Sequence, residues 1–586
     1  MLKIFKYLEP KEWLMTLISF VFIVTQVWLD LKSPEYMQEI TILVQIPGSA
    51  MRDIWLAGGK MLLCTLGSLA AAITVGFLAA RIAAAFSMQL RSRLFNKVEA
   101  FSMEEINRFS TDSLITRSTN DITQVQMLVT MGLQLIIKAP ITAVWAITKI
   151  AGKGFEWTLT TGVAVAILLT LSGFLMVFVI PKFKKIQLLI DNVNRVTREN
   201  LTGLRVVRAY NAEDYQEEKF EKVNSELTNT HLFTSRAMAI MMPVMTVIMS
   251  GLSLAIYWIG AYLISAAQIT DKLTIFSNMV VFSSYAMQVI MSFMTLAMVF
   301  IMLPRASVSA KRINEVLETG QSILDGSRTE GVHGVQGEVT FNHVSFKYPG
   351  AEAYVLEDVS FTVKKGETIA FIGSTGSGKS TLLNLIPRFF NATGGEILIN
   401  GTNIREYTQE ALRNKIGYVP QKAVLFRGTI ASNVAYGDNG KGGFSEEEVR
   451  RAISIAQATE FVERMDGCYE ADIAQGGTNV SGGQKQRISI ARAVCRKPEI
   501  YIFDDSFSAL DYKTDRILRS VLKRETANVT SIIVAQRIGT IMDADQIIVL
   551  DEGRIAGQGK HRDLLRTCNI YRQIAGSQLS EEELVS

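Results

Sequence analysis

The chain has 586 residues, a mean hydropathy of +0.21 and a formal net charge of +4 at pH 7. This length and apolar character exclude a single soluble domain, and so small a net charge gives no support for nucleic-acid binding. The four cysteines show no CxxC spacing, which is typical of reduced thiols facing a cytosol-like compartment.

Long apolar runs dominate the first 320 residues. Six of them approach or exceed the ~20 residues that a helix needs to cross a bilayer. They predict membrane-spanning helices at 13–31, 54–86, 128–150, 157–181, 238–266 and 275–303. Basic residues cluster after the second and fourth runs, at 91–117 and 182–198. The positive-inside rule therefore predicts a multi-pass protein of the cell membrane, most simply the bacterial inner membrane, with both termini in the cytoplasm.

Lys138 stands inside the third apolar run, two residues before Pro140. An ionisable group at membrane depth is costly and is a candidate functional residue, unless it snorkels or faces a wet cavity. Two sets of methionines repeat at helical spacing, and each is compatible with helix packing or with an adaptable substrate cavity. They are Met238, Met242, Met245 and Met249, and Met287, Met291, Met294, Met298 and Met302.

The composition changes near residue 305. Glycines interrupt the stretch 321–335, which predicts a linker, and alternating strand and helix patterns occupy 336–575. Residues 576–586 are predicted to be a C-terminal tail. The predicted fold class is a six-helix, all-α transmembrane domain over 1–320, fused to an α/β nucleoside-triphosphatase domain with a phosphate-binding loop.

A predicted strand at 368–372 leads into GSTGSGKS at 373–380 and then into a helix. This satisfies G-x-x-x-x-G-K-[ST], in which backbone N–H groups cradle phosphates. Lys379 would reach the outer phosphates of ATP, and Ser380 would offer a hydroxyl to Mg²⁺. A second buried strand, at 500–503, ends in Asp504, a carboxylate suited to the water shell of Mg²⁺.

The segment NVSGGQKQR at 479–487 is a second phosphate-binding device, because a Ser-Gly-Gly stretch opens a helix there. One domain does not need two such devices for one nucleotide. The simplest explanation is a head-to-tail dimer in which each device serves a different site.

Taken together, these motifs resemble the half-transporters of the ABC exporter family over nearly the whole chain. The residues that the resemblance assigns to ATP and Mg²⁺ are Tyr348, Gly373, Ser374, Thr375, Gly376, Ser377, Gly378, Lys379, Ser380, Thr381, Gln421 and Asp504. Tyr348 matches the aromatic residue that stacks on adenine, and Gln421 the Q-loop glutamine that senses Mg²⁺. Ser481, Gly482, Gly483 and Gln484 match the signature motif that faces the partner's ATP, and Ser508, Ala509, Leu510 and Asp511 match the D-loop. The cytoplasmic stretches 111–121 and 199–214 resemble the coupling-helix regions of the family.

Val480 precedes the signature where the family usually has leucine. Two further positions depart from the family pattern at the catalytic residues. Asp505 stands where the family has its catalytic glutamate, and Gln536 stands where it has its switch histidine. None of the four histidines falls in SIIVAQR, the segment 531–537 that contains Gln536. The resemblance therefore implies a chain that binds ATP, hydrolyses it slowly and completes the active site of a second, non-identical half-transporter, which would supply the missing glutamate and histidine.

The implied activity is ATP-driven export of an amphipathic, multidrug-like substrate, with membrane lipids as further partners. One alternative is a homodimeric exporter or lipid flippase that uses Asp505 as its base. Another is a regulatory subunit that binds ATP without hydrolysing it. An importer subunit is disfavoured, because the membrane helices precede the nucleotide-binding domain and the cytoplasmic loops are exporter-like.

Overall fold

A computed structural model describes residues 2–46, 48–151, 153–438, 440 and 442–579 of the chain. The chain divides into two compact units. A helical unit lies within Met1–Glu99 and Thr111–Thr319, and a nucleotide-binding unit within Ala100–Ser110 and Gly320–Ser586. Of the predicted tail, residues 580–586 lie outside the described part.

The helical unit confirms the six predicted spans as helices that are long and apolar enough to cross a membrane. Several extend well past the predicted apolar runs. Helix α8 has 54 residues, roughly 80 Å at about 1.5 Å per residue, against a hydrocarbon core of about 30 Å. The helices of this part of the chain are α1 Pro10–Gln45, α2 Met51–Glu99, α3 Met103–Phe109, α4 Thr111–Thr116, α5 Ile122–Ile150, α6 Phe155–Thr202, α7 Leu204–Ala209, α8 Glu213–Ala266 and α9 Ile269–Glu318, with a 3₁₀ turn at Leu2–Tyr7 and a π-helical turn at Arg117–Asp121.

One face of α2 carries large apolar side chains that the rest of the unit leaves uncovered. Their exposed fractions run from 51% to 63%, for Leu62, Leu66, Leu69, Ile73 and Phe77. A row of this kind would be unfavourable in water but suits a hydrocarbon environment. Together with the length of the six helices, it indicates a multi-pass membrane protein.

The inside of the helical unit is held by packing and by a few hydrogen bonds between helices. Trp157, on α6, is 3% exposed and donates its Nε1–H to the carbonyl of Ile256 at 3.2 Å. Tyr285, on α9, donates its hydroxyl to the carbonyl of Leu31 at 3.0 Å. These bonds satisfy buried donors that lipid could not satisfy.

The segment 111–121, which resembles a coupling-helix region, forms the first part of the third membrane-spanning helix. Helix α4, the π-helical turn and α5 form one continuous span from Thr111 to Ile150. The short separate helix is α3. A capping box of Ser102 and Glu105 forms its start, and Ser110, with a φ of +59°, caps its end. Glu105 Oε1 accepts from the amide of Ser322 at 2.8 Å, so α3 packs within the nucleotide-binding unit. In the second predicted region, 199–214, the short helix is α7.

The two sets of methionines have mixed surroundings. Met245 is buried, whereas Met242 is 68% exposed and Met291 is 44% exposed. The side chains of Met298 and Met302 lie outside the described part of the structure. Neither set therefore forms a uniform packing face.

The nucleotide-binding unit contains two main sheets. A four-stranded sheet has the order β2-β1-β4-β5 and a six-stranded sheet the order β12-β11-β3-β10-β9-β6. The strands are β1 Val339–Phe346, β2 Leu356–Val363, β3 Thr368–Gly373, β4 Gly394–Ile399, β5 Thr402–Asn403, β6 Ile416–Val419, β7 Gly428–Thr429, β8 Asp472–Ile473, β9 Ile500–Asp504, β10 Thr530–Val534, β11 Gln546–Asp551 and β12 Arg554–Gly559. The helices are α10 Lys379–Leu385, α11 Gln409–Asn414, α12 Ile430–Val434, α13 Glu446–Ile455, α14 Thr459–Arg464, α15 Gly482–Cys495, α16 Tyr512–Glu525, α17 Ile538–Ile541, α18 His561–Thr567 and α19 Asn569–Gly576.

The pairing of the six-stranded sheet positions the candidate site. Strand β10 pairs in parallel with both β3 and β9, and Val534 is opposite Phe371 on one side and Asp504 on the other. The carboxyl ends of three parallel strands therefore meet at one edge, where ligands bind in open α/β sheets.

Candidate nucleotide site

The loop between β3 and α10 folds around the ammonium group of Lys379. Lys379 Nζ donates to the carbonyl oxygens of Gly373 and Ser374, at 3.0 and 2.7 Å, and to Ser377 Oγ at 3.1 Å. Burial lowers the pKa of Lys379, against the attraction of nearby carboxylates. A partly buried ammonium held by neutral oxygens gains by exchanging them for anionic ones, so this loop fits the phosphates of a nucleotide.

Glycines give the loop its tight path. Gly376 and Gly378 have φ of +86° and +94°, and Thr375 lies between Ser374 and the first of them. A Cβ on Gly378 would lie 2.9 Å from the carbonyl oxygen of Val355. Only glycine combines the left-handed backbone with that close approach.

The two predicted Mg²⁺ partners meet beside the loop. Ser380 donates its hydroxyl to Asp504 Oδ1 at 3.1 Å, and Asp504 is 5% exposed. Burial raises the pKa of Asp504, and the neighbouring Asp505 raises it further. A hydroxyl and a carboxylate side by side are hard oxygen ligands, so the donor set fits Mg²⁺ bound partly through water.

The two positions that depart from the family pattern at the catalytic residues lie in direct contact. Gln536 Nε2 donates to Asp505 Oδ2 at 2.9 Å, and the predicted Q-loop residue Gln421 donates to the same oxygen at 3.5 Å. Asp505 has φ of +46°, a left-handed conformation that aspartate tolerates better than most residues. Burial raises the pKa of Asp505, against hydrogen bonds that favour the charged form. Two amide groups thus donate to this carboxylate.

Tyr348, the predicted adenine partner, lies beside the first turn of α10. Its hydroxyl lies 3.0 Å from Thr381 Oγ1, and its ring packs edge-on against Phe346 and Phe390. A cavity of about 520 Å³ borders the tyrosine. The edge-on packing fixes the orientation of the tyrosine ring, which suits a ring that stacks on a flat base.

The signature residues form the start of α15. Ser481 Oγ accepts from the amide of Gln484 at 3.3 Å, and Gln484 Oε1 accepts from the amide of Ser481 at 2.8 Å, so the serine side chain caps its own helix. Gly482 and Gly483 follow in the first turn. A Cβ on Gly483 would lie 3.3 Å from the carbonyl oxygen of Ala509 in the D-loop.

The D-loop connects the signature side of the unit to the catalytic side. Ser508 donates its hydroxyl to the carbonyl of Asp505 at 2.9 Å, Leu510 is buried, and Asp511 accepts from the amide of Thr514 at the start of α16. Of the hydrogen bonds that the described residues make, none joins the signature to the phosphate loop.

Sequence reasoning missed one residue beside the site. Gln578 accepts from the amide of Ile538 at 2.9 Å and donates to the carbonyl of Gln536 at 2.8 Å. Gln578 therefore holds the backbone on both sides of Arg537, in the segment 536–538 that we call the switch segment. It lies in the predicted tail, outside every motif, so no sequence signal could have identified it.

Comparison with known proteins agrees with the fold. The family "ABC transporter" matches residues 356–508, and the family "ABC transporter transmembrane region" matches residues 16–293. A solved structure of a bacterial Atm1-family ABC exporter with ATP bound superposes with a TM-score of 0.77 at 23% identity, covering 97% of this chain and 100% of that one. At that identity the likeness shows the fold.

Relatives of similar length are more alike in sequence. An uncharacterized ABC transporter ATP-binding protein of Mycobacterium tuberculosis is 40% identical over 521 residues, 89% of this chain and 87% of the relative. YfiB of Bacillus subtilis, of the same description, is 35% identical over 99% of both chains. An ATP-dependent lipid A-core flippase of Aromatoleum aromaticum is 33% identical over 86% of this chain and 82% of its own. The chain therefore belongs to the ABC transporter family, as a half-transporter with an ABC exporter fold that combines a transmembrane region and an ATP-binding domain in one polypeptide.

Proposed function

We propose that the chain is the slowly hydrolysing half of a heterodimeric exporter that uses ATP to move amphipathic small molecules across the cell membrane. The observation that carries the proposal is the 2.9 Å hydrogen bond from Gln536 to Asp505. The two residues that replace the family's glutamate and histidine engage each other.

The weakness of the site is one of position. Aspartate is shorter than glutamate by one methylene, and a misplacement of about 1 Å can cost ~10²-fold in rate. Asp505 Oδ2 accepts from two amide groups, which compete with an attacking water for the same lone pairs.

The intact signature supports a role in trans. Ser481, Gly482, Gly483 and Gln484 keep the family pattern and form a capped helix start. A sound signature beside a weak catalytic pair fits a subunit that completes the active site of a different partner. A purely regulatory subunit would not need it.

The proposal places the basic stretches 91–117 and 182–198, both termini and the nucleotide-binding unit in the cytoplasm. The support is the distribution of Lys and Arg along the chain. Accessibility of single engineered cysteines to an impermeant maleimide in intact cells would test this orientation.

Lipid transport is a second candidate. Several relatives between 30% and 33% identical are lipid A-core flippases. In this alternative the chain forms a homodimer, and Asp505 acts as the base at both sites.

The decisive experiment measures ATP turnover in lipid nanodiscs. The tagged chain is purified from its host membranes, and any co-purifying ABC subunit is identified by mass spectrometry. We expect a non-identical subunit, and we expect turnover to fall at least ~10²-fold when that subunit's own catalytic residue is removed.

In that partner-inactivated complex, the double substitution Asp505→Glu with Gln536→His should raise turnover at least tenfold. Lys379→Ala, which removes the phosphate-binding ammonium, serves as the baseline. If the chain alone forms a symmetric pair with brisk turnover, the proposal is wrong and the homodimeric alternative holds. ATP-dependent flux in proteoliposomes distinguishes the exporter from a regulatory subunit.

A further inference from the structure

A cavity with both polar and apolar lining residues lies among four of the membrane-spanning helices, within the helical unit. Its volume is about 490 Å³, and its lining comes from α1, α2, α5 and α9. Leu29, Leu135 and Met291 give it apolar walls. A volume of this size falls in the range of small-molecule sites.

An ion pair faces this cavity. Lys138 Nζ lies 3.2 Å from Asp30 Oδ2, and each side chain is about a third exposed, at 34% and 32%. Ser68 donates its hydroxyl to the other oxygen of Asp30. Lys138 has three N–H donors, and Asp30 is its one partner among the described residues, so two donors are left for a ligand.

Several other polar atoms of the lining can accept a hydrogen bond. Gln288 Oε1 is buried and has no hydrogen-bond partner among the described residues, while Gln288 Nε2 donates to the carbonyl of Asp30 at 3.5 Å. Four lining hydroxyls donate their proton to a backbone carbonyl one turn earlier, which leaves only their lone pairs for a ligand. These bonds run from Thr65 to Met61, Thr142 to Lys138, Ser292 to Gln288 and Thr295 to Met291.

Charge balance decides which ligand this arrangement suits. A singly charged molecule that bound one member of the pair would leave the other without its counter-ion among membrane helices, which is unfavourable. A zwitterion replaces one internal ion pair with two: its acidic group binds Lys138 and its ammonium binds Asp30. The lone pairs of the lining hydroxyls then accept the remaining ammonium protons.

We propose that this cavity binds the zwitterionic end of an amphipathic molecule, with an ammonium and an acidic group close together and an apolar body against the walls. The inference rests on the proposed function, because it names the substrate class of the exporter. Such a group could come from a lipid headgroup of the phosphoethanolamine type or from a short apolar peptide with free ends.

The test measures binding to the full-length chain in nanodiscs of phosphatidylglycerol, which is not zwitterionic, without nucleotide. The probes are radiolabelled leucyl-leucine, its acetylated anionic form and its amidated cationic form. A second arm displaces leucyl-leucine with dihexanoyl phosphatidylethanolamine, or with dihexanoyl phosphatidylglycerol as its anionic counterpart. We expect a zwitterion to bind at least tenfold more tightly than its singly charged analogues.

The paired substitution Asp30→Asn with Lys138→Gln should abolish that preference. The matched control is Glu35→Gln with Lys149→Gln, which removes an ion pair of 2.6 Å between the same two helices, α1 and α5, outside the cavity lining. This control should bind like the wild-type chain.

Preference for the dipeptide or for the phosphatidylethanolamine supports the proposal and identifies the source of the group. Equal binding of zwitterionic and singly charged probes in both arms overturns it, as does wild-type binding by the Asp30 and Lys138 variant. Because no nucleotide is present, either result is independent of whether the ATP sites are unequal.

Discussion

Two glycines of the phosphate loop adopt the same left-handed backbone conformation but have different neighbours. Gly376 and Gly378 both have φ near +90°. A Cβ on Gly376 would meet nothing within 4 Å, whereas one on Gly378 would lie 2.8 Å from Leu356 Cδ2 and 2.9 Å from the carbonyl oxygen of Val355. The pair therefore separates backbone strain from steric conflict.

Gly376→Ala should cost about 1–2 kcal/mol of local stability, since only the left-handed backbone is penalised. Gly378→Ala should cost clearly more, because a backbone carbonyl must also move. Amide hydrogen exchange of α10 without nucleotide measures both. Equal protection in the two variants would show that the close approach does not matter.

His561, the first residue of α18, is a buried histidine that contacts Tyr571 of α19. It is 8% exposed, its Nδ1 lies 2.6 Å from the hydroxyl of Tyr571, and its buried Nε2 has no hydrogen-bond partner in the part of the chain that the structure describes. Burial lowers the pKa of His561 from 6.5, and the charge of Arg562 lowers it further, against the opposite effect of Asp543. The folded chain therefore favours the neutral ring.

The unfolded state takes up the proton first, so the stability that the neutral ring contributes is present above pH 6.5 and is lost as the pH falls below it. After correction for the intrinsic exchange rates, the amide hydrogen exchange of α18 and α19 should become faster as the pH is lowered from 7.5 to 5.5. His561→Phe, which cannot titrate, should remove most of this increase in rate. An unchanged pH dependence in the variant would assign the effect to another group.

At the scale of elements, the switch segment is positioned from both sides. Strand β10 lies between β3 and β9, which brings Gln536 next to Asp505 although the two are 31 positions apart. Gln578, after α19, then holds the segment by its backbone. The segment's position thus depends on a helix that no motif marks.

Gln578→Ala should expose the amide of Ile538 to exchange, because its acceptor is lost. Gln578→Glu keeps an acceptor for that amide but loses the donor to Gln536, so the amide of Ile538 should stay protected. Peptide-resolved hydrogen exchange over 536–541 makes the comparison. If both variants exchange like the wild-type chain, Gln578 does not hold the segment in solution.

At the scale of the whole molecule, the central question is which site the signature serves. Ser481 starts α15 with a reciprocal capping box. Ser445 starts α13 with the same kind of box, with Glu448 as its partner. The start of α13 therefore serves as a matched control, because Ser445 caps its helix as Ser481 does but has no role in the proposed function.

Ser481→Arg should lower turnover of the purified complex at least ~10²-fold, because a large cation would occupy the phosphate-binding side of the partner's site. Photolabelling of this chain's own site by azido-ATP should persist. Ser445→Arg loses a comparable cap, worth about 1 kcal/mol, and should leave turnover nearly unchanged. Equal losses in both variants would mean that helix capping, and not the signature, controls turnover.

The sequence by itself determined the features that local patterns encode. Six apolar runs predicted the membrane helices, because crossing a bilayer requires about 20 consecutive apolar residues. The glycine, lysine and serine spacing of 373–380 predicted the phosphate loop. A weakened site, inferred from one aspartate and one glutamine in place of the family residues, stays a prediction. Each of these signals lies within a few neighbouring residues.

Only the tertiary structure decided which distant residues meet. The order of the strands brings Gln536 to Asp505, and the packing of α1 against α5 brings Asp30 to Lys138. Sequence periodicity records which face of an element is apolar, but it does not record which element lies against that face. Contacts between residues far apart in the chain depend on how the elements pack, so they appear only when the chain has folded.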